Sequence, residues 1–132
     1  MNEQHDNGAL RASLEALPRA LRTLHKALID LETVYFGALG SALEHLQLIT
    51  HHPHFAWLQP MSALMAALDE ALDEPGKLTR QAAAGWRAAI EELVGPGTPA
   101  GAPFRTKYLV LLHDSPEVAM AHGALRRLLG RI

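Results

Sequence analysis

The sequence predicts an all-α fold, a single-domain antiparallel helical bundle of five or six helices. Three observations predict it. Ala and Leu, both strong helix formers, dominate a chain in which β-branched residues are few. Apolar residues recur at alternating steps of three and four, the period of one helix face. Proline- and glycine-bearing breaks divide the chain into helix-length pieces.

The first piece is the longest. Leu10, Leu17, Leu24 and Leu31 recur every seven residues, and Leu14, Leu21, Leu28 and Tyr35 form a second row beside them. Together they make one apolar stripe. Residues 1–8 are expected as a polar N-terminal tail, with Asp6 or Asn7 capping the helix and the helical domain covering residues 9–132. Pro18 lacks a backbone donor and crowds the preceding turn, which predicts a kink or a fresh start. The stripe keeps its register across Pro18, which favours the kink.

Gly37 to Ser41 reads as a turn with Ser41 capping a short helix, Ala42 to Thr50, whose expected buried face is Leu43, Leu46 and Ile49. His51-His52-Pro53-His54 ends it, because a residue before proline avoids the helical region. A helix is expected from about His54 to Asp73 on Leu58, Met61, Met65, Leu68 and Leu72, with Pro60 kinking it or marking its true start. Asp73-Glu74-Pro75-Gly76 stops that helix. Thr79 caps the next, which runs to about Val94 with Ala82, Trp86, Ile90 and Leu93 as its buried face. Residues 95–103 contain only Gly, Pro, Ala and Thr and read as a loop. Phe104, Tyr108, Leu111 and Leu112 mark a further helix. Ser115 as cap, Pro116 at the first helical position and Glu117 near the positive dipole end open the last. Val118, Ala121, His122, Leu125, Leu129 and Ile132 line it.

Composition excludes several functions. The chain has 132 residues, 48% of them hydrophobic and 20% charged, which suits one globular domain. With no cysteine there is no disulfide, zinc–thiolate site or thiol nucleophile, and the cytoplasm is the expected compartment. No signal peptide is read at the polar N-terminus, and no apolar run approaches a membrane span of roughly 18–20 residues. A net charge of −2 gives no basic field for a nucleic acid, so neither nucleic acid nor membrane is expected as a partner. Arg126, Arg127 and Arg131 suit the negative end of the last helix.

The chemistry-bearing residues are mainly histidines, of which there are eight. His51, His52 and His54 cluster after His45, and imidazoles are ligands for zinc, nickel or copper. The other reading is a solvated helix end favoured by the dipole. Trp57 and Phe55 either wall a pocket beside these histidines or anchor the turn in the core. His122 lies on the apolar side of the last helix as a hydrogen-bonded buried histidine or as a ligand. These five residues, His51, His52, His54, Trp57 and His122, are the candidate binding residues. The sequence identifies no catalytic set and no particular cofactor or metal.

His113-Asp114 resembles the pair of metal-dependent phosphohydrolases, but no Asp follows Asp114 to complete such a set. No Glu is followed by His three residues on, as carboxylate di-metal bundles require. His25 and Glu32, seven apart, could share a helix face. No Gly-x-Ser-x-Gly or phosphate-binding glycine loop occurs.

The segments Leu24 to Leu28, His52-Pro53-His54-Phe55-Ala56-Trp57-Leu58-Gln59-Pro60 and Ser115 to His122 resemble a family of small uncharacterised bacterial all-helical proteins. The likeness spans the chain from about Leu21 onward. It implies an all-helical, bacterial, cytoplasmic protein and brings no activity with it. Two functions are therefore open. One is a non-enzymatic interaction or regulatory domain binding itself or another protein, motivated by a Leu stripe longer than one bundle needs. The other is a small-molecule or metal-binding protein, enzyme included, centred on His51, His52 and His54.

Overall fold

A computed structural model describes residues 3–37, 41–74, 76, 78–95 and 102–132. Six α-helices account for most of them: α1 (Glu3–Phe36), α2 (Ala42–His51), α3 (Gln59–Leu72), α4 (Arg80–Val94), α5 (Ala102–Asp114) and α6 (Pro116–Leu129). A 3-10 segment, Pro53–Leu58, joins α2 to α3. No strand occurs among the described residues.

The stripe of α1 is the spine of the core. Leu14, Leu17, Leu21, Leu24 and Leu28 are completely buried, while Leu10 and Leu31 pack partly buried at the ends. The leucines thus find their partners within the chain, mainly on α6 and α3, and leave no surplus stripe for a second molecule. Helix α1 continues through Pro18, whose ring is itself buried. It begins at Glu3, inside the segment expected as a tail, so Asp6 and Asn7 lie within the helix and do not cap it.

Helix α6 runs antiparallel to both α1 and α4. Glu117 at the start of α6 acts electrostatically on Lys26, while Ile132 lies beside Leu10, so α6 runs back along α1. Arg87 reaches the Ile132 carbonyl and Glu91 reaches Arg126, which sets α4 against α6 in the same sense.

Local chemistry starts and stops these helices as expected. Ser41, Thr79 and Ser115 each accept the backbone N–H three residues on, at 3.1, 3.1 and 3.3 Å. Gly37 closes α1 with a φ of 77°, a conformation that suits glycine. Residues 38–40 and 96–101, which cover most of the expected turn and Gly/Pro loop, lie outside the described residues. At the end of α4, Gly95 is buried, and a Cβ there would meet the Glu91 carbonyl oxygen at 2.6 Å. Buried Arg105 donates to the Glu92 carbonyl at 2.7 Å, satisfying one of the acceptors that a helix end leaves open.

Two further expectations are corrected. The helix expected from His54 begins instead at Gln59, with Pro60 in its first turn and the 3-10 segment before it. On α2, Leu43 and Leu46 are not buried: they are 64% and 59% exposed, and only Ile49 of the expected face packs against the core. On α4 the fully buried residues are Ala83, Ile90 and Val94, with Ala82, Trp86 and Leu93 half-buried at the edges of that face.

Candidate functional site

The 3-10 segment brings part of the histidine cluster onto α1. Pro53 fixes its own φ and holds His52 extended, at φ −77° and ψ 135°. His52 Nδ1 then accepts the His54 backbone N–H at 3.1 Å, and the Phe55 N–H bonds the His52 carbonyl at 3.0 Å. With three residues per turn, positions three apart share a side. His54 and Trp57 therefore face α1 together, while Phe55 and Leu58 enter the core.

Both meet Glu32. The Trp57 indole N–H donates to Glu32 Oε2 at 2.9 Å, and His54 Nε2 lies 3.2 Å from the same oxygen. That second separation is within ion-pair range, yet the geometry is not that of a hydrogen bond, and His54 Nε2 is buried without an aligned acceptor. Glu32 is only 5% exposed, so its carboxylate depends on these groups for the polar contacts that water would otherwise supply. Phe36, one turn further along α1, meets the His52 ring edge-on at a centroid distance of 4.6 Å and lies 5.3 Å from His54.

The other candidates lie elsewhere. His51 is exposed and, with His52, Glu44 and Gln47, borders a shallow groove of about 410 Å³ along α2. The side chain of His45 lies outside the described residues. His122 is linked to Trp57 through Phe104 and Tyr108, the successive ring centroids lying 5.0, 6.0 and 5.7 Å apart. Its Nδ1 lies 2.6 Å from the Tyr108 hydroxyl. Burial pushes the Tyr108 pKa up, which keeps that hydroxyl protonated and makes it the donor. Burial, then the Arg126 charge, lowers the His122 pKa, so the imidazole stays neutral and accepts. His25, which sequence spacing placed on a face with Glu32, bonds Ser62 Oγ instead at 3.1 Å.

The polar groups around Glu32 thus converge on one another. Among the described residues, no group of three or more His, Asp or Glu is placed to hold a metal ion. Sequence reasoning missed Glu32 as a centre, because nothing local marks a glutamate on a long helix as buried. Its one signal was position: Glu32 follows Leu28 by four residues on the stripe's own face. A second cleft, of about 430 Å³, lies far along α1 between Leu10, Arg80, Ala83 and Ile132.

Val34 is 73% exposed on the last turn of α1, and Leu43 and Leu46 are exposed on α2. Helix α2 packs mainly on the 3-10 segment. No described helix is long and apolar enough to cross a membrane. No protein-family model, curated protein or solved structure matches the chain.

Proposed function

We propose that this chain is a non-enzymatic interaction domain that self-associates through the exposed face of α2. One observation carries the reading. Residues Leu43, Leu46 and Ile49 form a single apolar helix face, and the fold covers only its Ile49 edge. An amphipathic helix gains stability in water by burying such a face, and here two leucines of that face still meet solvent. A second copy is the occupant. Two-fold dimers are the commonest oligomers, and a net charge of −2 opposes self-association only weakly. The ligand or metal reading has less support, since His52 is engaged as a helix cap and His54 faces Glu32. A cytoplasmic setting accords with a chain that has no cysteine to oxidise.

Light scattering across a concentration series tests the proposal. The wild-type mass should rise toward twice the chain mass, and Leu46→Asp should hold it at the monomer. A wild-type chain that stays monomeric at the highest soluble concentration overturns the proposal.

A further inference from the structure

We infer that the two copies meet through antiparallel, two-fold pairing of α2, with Glu44 of each opposite the partner's His51. This rests on the self-association proposed above and specifies its geometry.

At 100° per residue, Leu43, Leu46 and Thr50 form one row on α2, and Glu44, Gln47 and His51 form the row beside it. All six side chains are exposed, and together they span an arc of about 160°. Contact along the line between the rows, flanked by Leu43 and Gln47, sets Leu46 and Thr50 on one side of the seam and Glu44 and His51 on the other. Symmetry then decides what that flank meets. A two-fold axis perpendicular to both helices keeps the two polar rows on the same side and reverses their direction. A two-fold axis parallel to the helices places each polar row opposite the partner's other flank, where Leu46 and Thr50 lie.

Charge and polarity favour the first arrangement. Helix α2 is acidic in its first turn, at Glu44, and carries His51 in its last. Reversal brings each Glu44 carboxylate to an imidazole that can donate a hydrogen bond to it, twice per dimer by symmetry. The helix dipoles also oppose one another. With Glu44 opposite the partner's His51, the axis passes next to Gln47, and the two Gln47 side chains meet. Leu46 packs on the partner's Leu46 and Thr50. The groove of about 410 Å³ bordered by Glu44, Gln47, His51 and His52 gives the incoming polar row space to lie in. Helix α2 alone is about 15 Å long, which limits the contact to a weak, concentration-dependent dimer.

The absence of native cysteine makes single-cysteine variants clean probes. Under mild oxidation Gln47→Cys should form a covalent dimer. Glu44→Cys alone and His51→Cys alone should not, because like positions sit roughly 10 Å apart along the axis. Mixing those two variants should give the cross-linked heterodimer. Met120→Cys, on the exposed side of α6, serves as the collisional control. Charge exchange provides a measurement independent of thiol chemistry: Glu44→Lys should weaken the dimer, and Glu44→Lys with His51→Glu should restore it. If the wild type dimerises and Leu46→Asp abolishes the dimer, yet Glu44→Cys and His51→Cys each cross-link to themselves and not to one another, the antiparallel geometry is wrong and self-association stands. If the wild type is monomeric throughout, both fall.

Discussion

Trp57 and Glu32, 25 positions apart in the chain, are joined by a 2.9 Å hydrogen bond from the indole N–H to a carboxylate that is 5% exposed. The bond ties the end of the longest helix to the 3-10 segment on which α2 rests. Trp57→Phe keeps much of the ring packing against Phe104 but takes the donor away from a buried acceptor. We expect a loss of about 1–3 kcal/mol in urea unfolding. Glu32→Gln retains an oxygen for the indole and should lose less. Equal losses would show that the indole packs against the helix without serving the carboxylate.

Acid should destabilise the fold through His25 and His122. Burial lowers the pKa of both, and Arg126 adds to the effect at His122. Each folded-state value lies below the ordinary 6.5, so the folded chain binds fewer protons than the unfolded chain in that window. Their contribution is complete above pH 6.5 and is lost as pH falls through the lowered folded values. The urea midpoint should therefore drop between pH 7.5 and pH 5. In His122→Gln the drop should shrink, and a drop of unchanged size would remove His122 from the account.

Leucines of the two apolar rows should behave oppositely. Leu21→Ala opens a cavity at a completely buried site and should cost about 2–5 kcal/mol. Leu43→Ala, at a 64% exposed site, should leave monomer stability within about 0.5 kcal/mol while weakening the dimer. Chemical unfolding at low concentration, paired with light scattering at high concentration, separates the two effects.

Glycines divide in the same way. Gly95→Ala forces a methyl against the Glu91 carbonyl and should destabilise by about 1–3 kcal/mol. Gly85→Ala in α4 and Gly123→Ala in α6 meet nothing within 4 Å and should each stabilise by about 0.5–1 kcal/mol. Thermal unfolding reads the signs directly: the midpoint falls for Gly95→Ala and rises for the other two.

Much of the fold was readable from local sequence because its causes are local. Ser41, Thr79 and Ser115 bond backbone groups three residues away, so their capping roles follow from the nearest neighbours alone. The leucine stripe of α1 declares its face because a 3.6-residue period over so long a segment admits one inward side. Pro53 announced the break before His54, although not that the turn after it would be 3-10.

The candidate site was readable only in part. His54 and Trp57 were singled out from the density of histidine and aromatic residues around them. Their shared target was not, since Glu32 sits a helix away in sequence and its burial depends on what folds over it. His122 was placed on an apolar face by periodicity, but its partner Tyr108 comes from a different helix.

By itself, then, the sequence determined the capped starts of α2, α4 and α6, and which residues of α1 form the core, because capping bonds and a long helical period act over a few residues. Tertiary structure alone decided which charges are buried and which apolar faces stay open. On α2, periodicity places Leu43, Leu46 and Ile49 on one side of a ten-residue helix. What covers that side depends on the surface opposite, and here the 3-10 segment and core reach only Ile49, leaving Leu43 and Leu46 facing solvent.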